Sequence, residues 1–127
     1  MTTASTRYIV NDVAAAIEFY TAHLGFTIEQ DARPAFCSVT RGPIRLLLSG
    51  EGSSGAKAMP DGRKPAPGGW NRILVPVDDL EAEVARLRAK GLTFRNEILK
   101  GVGGSQILLE DPSGNVVELF QPAHKRA

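Results

Sequence analysis

The chain states one pattern twice, and that repetition limits its fold more than any single residue does. Residues 7–10 read as a short strand, and Asp12 suits a helix N-cap. Val13, Ala16, Ile17, Tyr20 and Leu24 then recur at helical spacing up to Gly25, a suitable stop. Residues 73–77 restart the scheme with a strand, an Asp78-Asp79 cap, a Leu80-Val84-Leu87 stripe and Gly91. Asp12 and Asp79 lie 67 residues apart, and Gly25 and Gly91 lie 66 apart. Strand-like runs follow each helix, at 26–30, 35–40 and 44–49 and again at 93–99, 105–110 and 116–121. Both halves therefore read βαβββ, with module one at 5–50 and module two at 70–123. The linker between them, 51–69, carries five glycines and three prolines and no periodicity. It is a lid, a binding loop or a flexible spacer. One helix covers one face of a four-stranded sheet, so the other face must meet the second module, a partner chain or a ligand. Two such sheets curling together would enclose a pocket, and a homodimer is expected to complete it.

A chain of 127 residues, 43% hydrophobic, is sized for a single domain 1–127 with a packed core. Fifteen basic residues against fourteen acidic ones leave a formal charge of +1. With no basic run, nucleic acid is not an expected partner. No apolar stretch approaches the ~20 residues that span a bilayer, and no signal peptide is expected at the N-terminus. A single cysteine excludes an internal disulfide and favours a cytoplasmic protein.

The C-terminal segment Asp111-Pro112-Ser113-Gly114-Asn115-Val116-Val117-Glu118-Leu119-Phe120 is dense in turn formers, then alternates as a strand. Asp111 and Asn115 are expected to hydrogen-bond the local backbone. Alternation places Val116, Glu118 and Phe120 on one face and Val117 and Leu119 on the other. A Glu between Val and Phe either sits in water at a sheet edge or points into a cavity.

With these residues in view, the chain resembles the vicinal oxygen chelate superfamily, which includes glyoxalase I, extradiol dioxygenases, fosfomycin-resistance enzymes and bleomycin-resistance binding proteins. The resemblance rests on Val10-Asn11-Asp12 through Phe19-Tyr20, Leu24-Gly25-Phe26, Val77-Asp78-Asp79-Leu80 through Leu87 and Gly91, and above all Asp111 to Leu119. It covers both modules and implies an α+β fold of two βαβββ modules with curved mixed sheets enclosing a cavity. It implies less about chemistry, because a shared fold does not fix function. Metal-using members place ligands, typically His or Gln and Glu, on the first and last strands of each module. Counting back from the helix caps, the first-strand positions fall on Ser5, give or take one residue, and Arg72, and the last-strand positions correspond to Leu46 and Glu118. One carboxylate and a hydroxyl beside a Leu and an Arg do not hold a divalent ion firmly. No catalytic metal and no cofactor are therefore expected. His23, on the helix, and His124, in the tail, read as surface residues.

Arg72 and Glu118 are expected to pair, either inward in the place the family gives to a metal or as an ordinary ion pair at a sheet rim. Trp70, after Gly68-Gly69, either caps a pocket or anchors the strand. Cys37 reads as a small buried strand residue, and Gly101–Gly104 as a tight hairpin, since no Lys-Ser/Thr follows to make a phosphate loop. The ligand-binding set drawn from these readings is Arg72, Glu118, Arg7, Leu46, Trp70 and Phe120. The leading function is binding of a small molecule, a drug or metabolite, without chemistry. Against a large flat drug stands an aromatic content of only 6%. The alternatives are a metal-dependent lyase, transferase or dioxygenase, or a metal-free isomerase using Glu118 as general base.

Overall fold

The structure, a computed structural model, describes residues 4–123. The elements run β1 (Ser5–Ile9), α1 (Val13–Leu24), β2 (Thr27–Ala32), β3 (Phe36–Arg41) and β4 (Ile44–Ser49). After a long loop come β5 (Arg72–Pro76), α2 (Leu80–Ala89), β6 (Leu99–Lys100), β7 (Gly104–Glu110) and β8 (Val116–Pro122). The result is α+β, with βαβββ occurring twice. The two four-stranded sheets have the same order, β1-β4-β3-β2 and β5-β8-β7-β6. Each is mixed, its first strand pairing in parallel with its last and the remaining pairs antiparallel. The described chain divides into two compact units, residues 4–68 with 112–115 and residues 69–111 with 116–123.

Cap chemistry sets the helix starts as the sequence predicts. Asp12 and Asp79 are extended, and each accepts a hydrogen bond at 3.1 Å from the backbone N–H three residues on, Ala15 and Ala82. Gly25 closes α1 at φ 74°, a left-handed conformation that costs glycine nothing. In the first unit, register and alternation put Tyr8, Cys37, Val39, Leu46 and Leu48 on the face that α1 covers, all buried. Burial pushes the Cys37 thiol pKa up. In the second, Ile73, Val75, Ile107, Leu109, Val117 and Leu119 share a face with the buried stripe Leu80, Val84 and Leu87 of α2. Each such Leu or Ile contributes roughly 1.5–3 kcal/mol by leaving water.

Three expectations need correction. The strand expected at 93–99 shrinks to Leu99–Lys100, preceded by one isolated bridge from Phe94 to Leu109. The backbone still runs beside β7, but the Asn96 side chain inserts there and its Oδ1 accepts the Leu108 N–H at 3.0 Å. A side chain has taken the place of a ladder partner. Asn115, read as able to bond its local backbone, also reaches much farther. Its Nδ2 donates to the Ile9 carbonyl at 2.8 Å, and its Oδ1 accepts the Gly68 N–H at 2.9 Å. Ser113 joins it, its Oγ accepting the Asn11 N–H at 2.8 Å. The turn thus closes onto the first unit instead of only onto itself.

The third correction is Leu46. Ser5 pairs with Arg45 in β1–β4, and Arg72 pairs with Val116 in β5–β8. Two residues on from each lie Leu47 and Glu118, so Leu47 is the counterpart of Glu118. Leu46 is fully buried on the helix-covered face. A slip of one residue along a strand exchanges the faces, and that removes Leu46 from any ligand surface.

Candidate functional site

The face of the second sheet turned away from α2 carries, row by row across β5, β8 and β7, Arg72-Val116-Glu110, then Leu74-Glu118-Leu108, then Pro76-Phe120-Gln106. Glu118 therefore lies between two leucines. Its side chain is 10% exposed and that of Arg72 is 29% exposed, so the acid is sheltered and its partner half-open. Arg72 Nε donates to Glu118 Oε1 at 3.0 Å, and Arg72 Nη1 donates to the Trp70 carbonyl at 3.3 Å. The pair expected from the sequence is formed, and it faces away from α2.

Trp70 is 68% exposed and Leu74 45%. The guanidinium of Arg95 stands 4.6 Å from the centre of the Trp70 ring, a cation–π contact. Arg95 is itself fixed, donating from Nε to Glu110 Oε2 at 2.6 Å and from Nη1 to the Gly69 carbonyl at 2.8 Å. Trp70 is thus held by its carbonyl and by a cation against its ring, and it keeps most of its surface open. Phe120, half-buried, shares this face but sits toward Gly104, at the opposite end from Arg72.

The corresponding face of the first sheet is already engaged in pairs. Arg45 grips Glu29 with Nε at 3.1 Å and Nη2 at 2.9 Å, and Ser38 Oγ donates to Glu29 at 2.9 Å. Those bonds, chiefly from Arg45, hold the Glu29 carboxyl below its ordinary value. Arg7 Nη1 donates to Ser49 Oγ at 2.8 Å, and its guanidinium packs so closely on Gly55 that a Cβ there would collide with it. Residue 55 belongs to the 51–69 loop, which includes a single 3-10 turn, Ser54–Ala56. Part of this loop walls a hollow of about 450 Å³ lined by Ile9, Asn11, Ala56, Lys64, Pro65 and Pro67 among others.

Of the residues picked from the sequence, the structure brings Arg72, Glu118 and Trp70 together, and Phe120 shares their face. Arg7 lies in the first unit, and Leu46 is core. His23 sits edge-on to Phe19 with ring centres 6.0 Å apart. His124 lies outside the described residues. Among the described residues, no three His, Cys, Asp or Glu side chains gather where a metal could be held. The positions at which the family resemblance places metal ligands do not suit one here. Leu47 has no donor atom, and a guanidinium occupies one oxygen of Glu118 and repels a cation. Arg95 and Glu110 were missed in the sequence. Alternation along β7 places Glu110 on the Glu118 face, but nothing local marked Arg95 as the support for Trp70.

A model of the Glyoxalase/Bleomycin resistance protein/Dioxygenase superfamily matches residues 2–119. The chain is 27% identical to the uncharacterized protein YurT of Bacillus subtilis (strain 168), over 91% of this chain and 95% of that one. Among solved structures it is similar to TnmS3, an antibiotic binding protein from Streptomyces sp. CB03234. That match has a TM-score of 0.73 and 25% identity, covering 97% of this chain and 98% of the other. Lactoylglutathione lyase from Agrobacterium tumefaciens shares the fold with a TM-score of 0.74 at 21% identity, over 95% and 94% of the two chains. The repeated βαβββ unit, the sheet order and the match along nearly the whole chain agree: this protein belongs to the Glyoxalase/Bleomycin resistance protein/Dioxygenase superfamily.

Proposed function

We propose that this chain is a small-molecule binding protein whose ligand lies on the second sheet's face away from α2, against Trp70, Leu74, Arg72 and Glu118. The observation that carries this reading is the 3.0 Å bond from Arg72 to Glu118. The acid that falls on a metal-ligand position by family resemblance is here neutralised by a side chain of the protein itself. Such a site offers directed hydrogen bonds beside apolar surface, the usual composition of a ligand pocket, and no Lewis acid. The likeness to an antibiotic binding protein supports the same reading.

A second reading has one observation in its favour. Glu118 Oε2 has no hydrogen-bond partner among the described residues, so the carboxylate could take a proton from a bound carbon acid. One substitution separates the two readings. Glu118→Gln keeps the shape and removes the base, so a binder retains its ligand with altered affinity and an isomerase loses turnover by orders of magnitude. Ligands can be sought with an aromatic fragment library while the indole N–H of Trp70, the sole tryptophan, is followed by NMR. A library that never moves that resonance or its neighbours refutes binding at this face.

A further inference from the structure

The ion pair at the centre of the site is closed on one side only. In the first unit Arg45 meets Glu29 with both nitrogens of its edge, and both carboxylate oxygens are used. In the second, Arg72 gives only Nε to Glu118 Oε1 and turns Nη1 back to the Trp70 carbonyl. Among the described residues, Arg72 Nη2 and Glu118 Oε2 make no further hydrogen bond. No buried side-chain nitrogen or oxygen there is left without a partner, so Oε2 is not sealed from solvent. The pair therefore keeps one charged donor and one charged acceptor that no protein group among the described residues uses, with no net charge.

We infer that this open donor–acceptor pair reads a neutral cis-amide edge, a ring N–H next to a carbonyl, on a flat ligand that rests against Trp70. The carbonyl would accept from Arg72 Nη2, and the ring N–H would donate to Glu118 Oε2. Both are charge-assisted bonds, stronger than those between neutral groups. Charged ligands fit less well, since an anion gains Arg72 but faces Oε2, and a cation gains Glu118 but faces the guanidinium. Trp70 supplies the flat surface. It is exposed, and its ring is backed by Arg95, which Glu110 and Gly69 hold in place. Rings stack on such a surface at low entropic cost, because the indole is already positioned.

The inference rests on the binding reading above, and its test separates the two. Quinolin-2(1H)-one, coumarin and quinoline-2-carboxylate are titrated into the protein while the Trp70 indole N–H and the backbone amides of β5 and β8 are followed. Quinolinone and coumarin have nearly the same shape and differ in one ring N–H, so their ratio isolates the bond to Oε2. One hydrogen bond to a charged, partly exposed group predicts that quinolinone binds about 10–100-fold tighter than coumarin. In Glu118→Gln the ratio should fall toward unity. Equal affinities for quinolinone and coumarin, or tighter binding of the carboxylate, would overturn the inference and leave small-molecule binding intact. If none of the three binds while other aromatic fragments shift Trp70, the inference again fails alone. Because the decisive ratio is measured on the unmodified protein, it does not depend on how well any variant folds.

Discussion

Replacing Arg72 with Met removes a cation and retains much of the apolar stem, so Glu118 is left alone between Leu74 and Leu108. A fully buried pair that loses one member costs about 3–5 kcal/mol, and an exposed pair at most about 1 kcal/mol. With side chains 10% and 29% exposed, this pair lies between those limits, and the stranded group is the more sheltered of the two. We expect a loss of about 2 kcal/mol, which for a chain of this size lowers Tm by about 6–10 °C. The reverse substitution, Glu118→Leu, strands the more exposed partner, whose long stem lets the guanidinium turn to water, and should cost under about 1 kcal/mol. The double variant should return close to the parent, because two apolar groups replace a pair whose desolvation was costly. Thermal and urea unfolding followed by circular dichroism at neutral pH supply all four corners of the cycle. A Tm for Arg72→Met within 2 °C of the parent (about 0.5 kcal/mol) would refute the argument. So would Glu118→Leu proving as costly as Arg72→Met.

Two further outcomes follow from the first unit. Asn115→Ala deletes two hydrogen bonds to backbone groups of Ile9 and Gly68 and should cost about 2–3 kcal/mol by urea unfolding. If the Asn115 bonds were incidental, the loss would match that of an ordinary surface residue, near ±0.5 kcal/mol. Glu29 has a folded pKa below its ordinary 4.5, held down mainly by Arg45, so it adds stability above that value and loses it as pH falls through the folded one. The stability difference between parent and Glu29→Gln should therefore stay flat above pH 4.5 and shrink below it in denaturation at stepped pH. A difference that grows on acidification would contradict the assignment.

What could be read along the chain was whatever depends on neighbours in sequence. The Asp caps, the two apolar stripes and the positive-φ Gly25 are local, and they mark both helices to within a residue or two. Alternation likewise assigned Glu118 to the face opposite Val117 and Leu119, as the registers show. Errors arose where a partner from elsewhere decided the outcome. Residues 93–99 have strand-like composition, but Asn96 occupies a ladder position. Asn115 looks like a turn residue, and its bonds run to residues 106 and 47 positions away.

The repeated strand–cap–helix pattern was enough to mark a βαβββ unit used twice, because caps and amphipathic spacing act within one or two turns of chain, and the resemblance to the family rested above all on Asp111 to Leu119. Pairing between strands was left to tertiary structure. It decided that Leu47 and not Leu46 stands opposite Glu118 in the repeat, that Arg72 leaves half of that acid open, and that Arg95 supports Trp70. Register turns on a single residue, and a hydrogen bond is directional within a fraction of an ångström. Spacing in sequence conveys neither quantity, so the chemistry of this face became visible only once the strands were laid side by side.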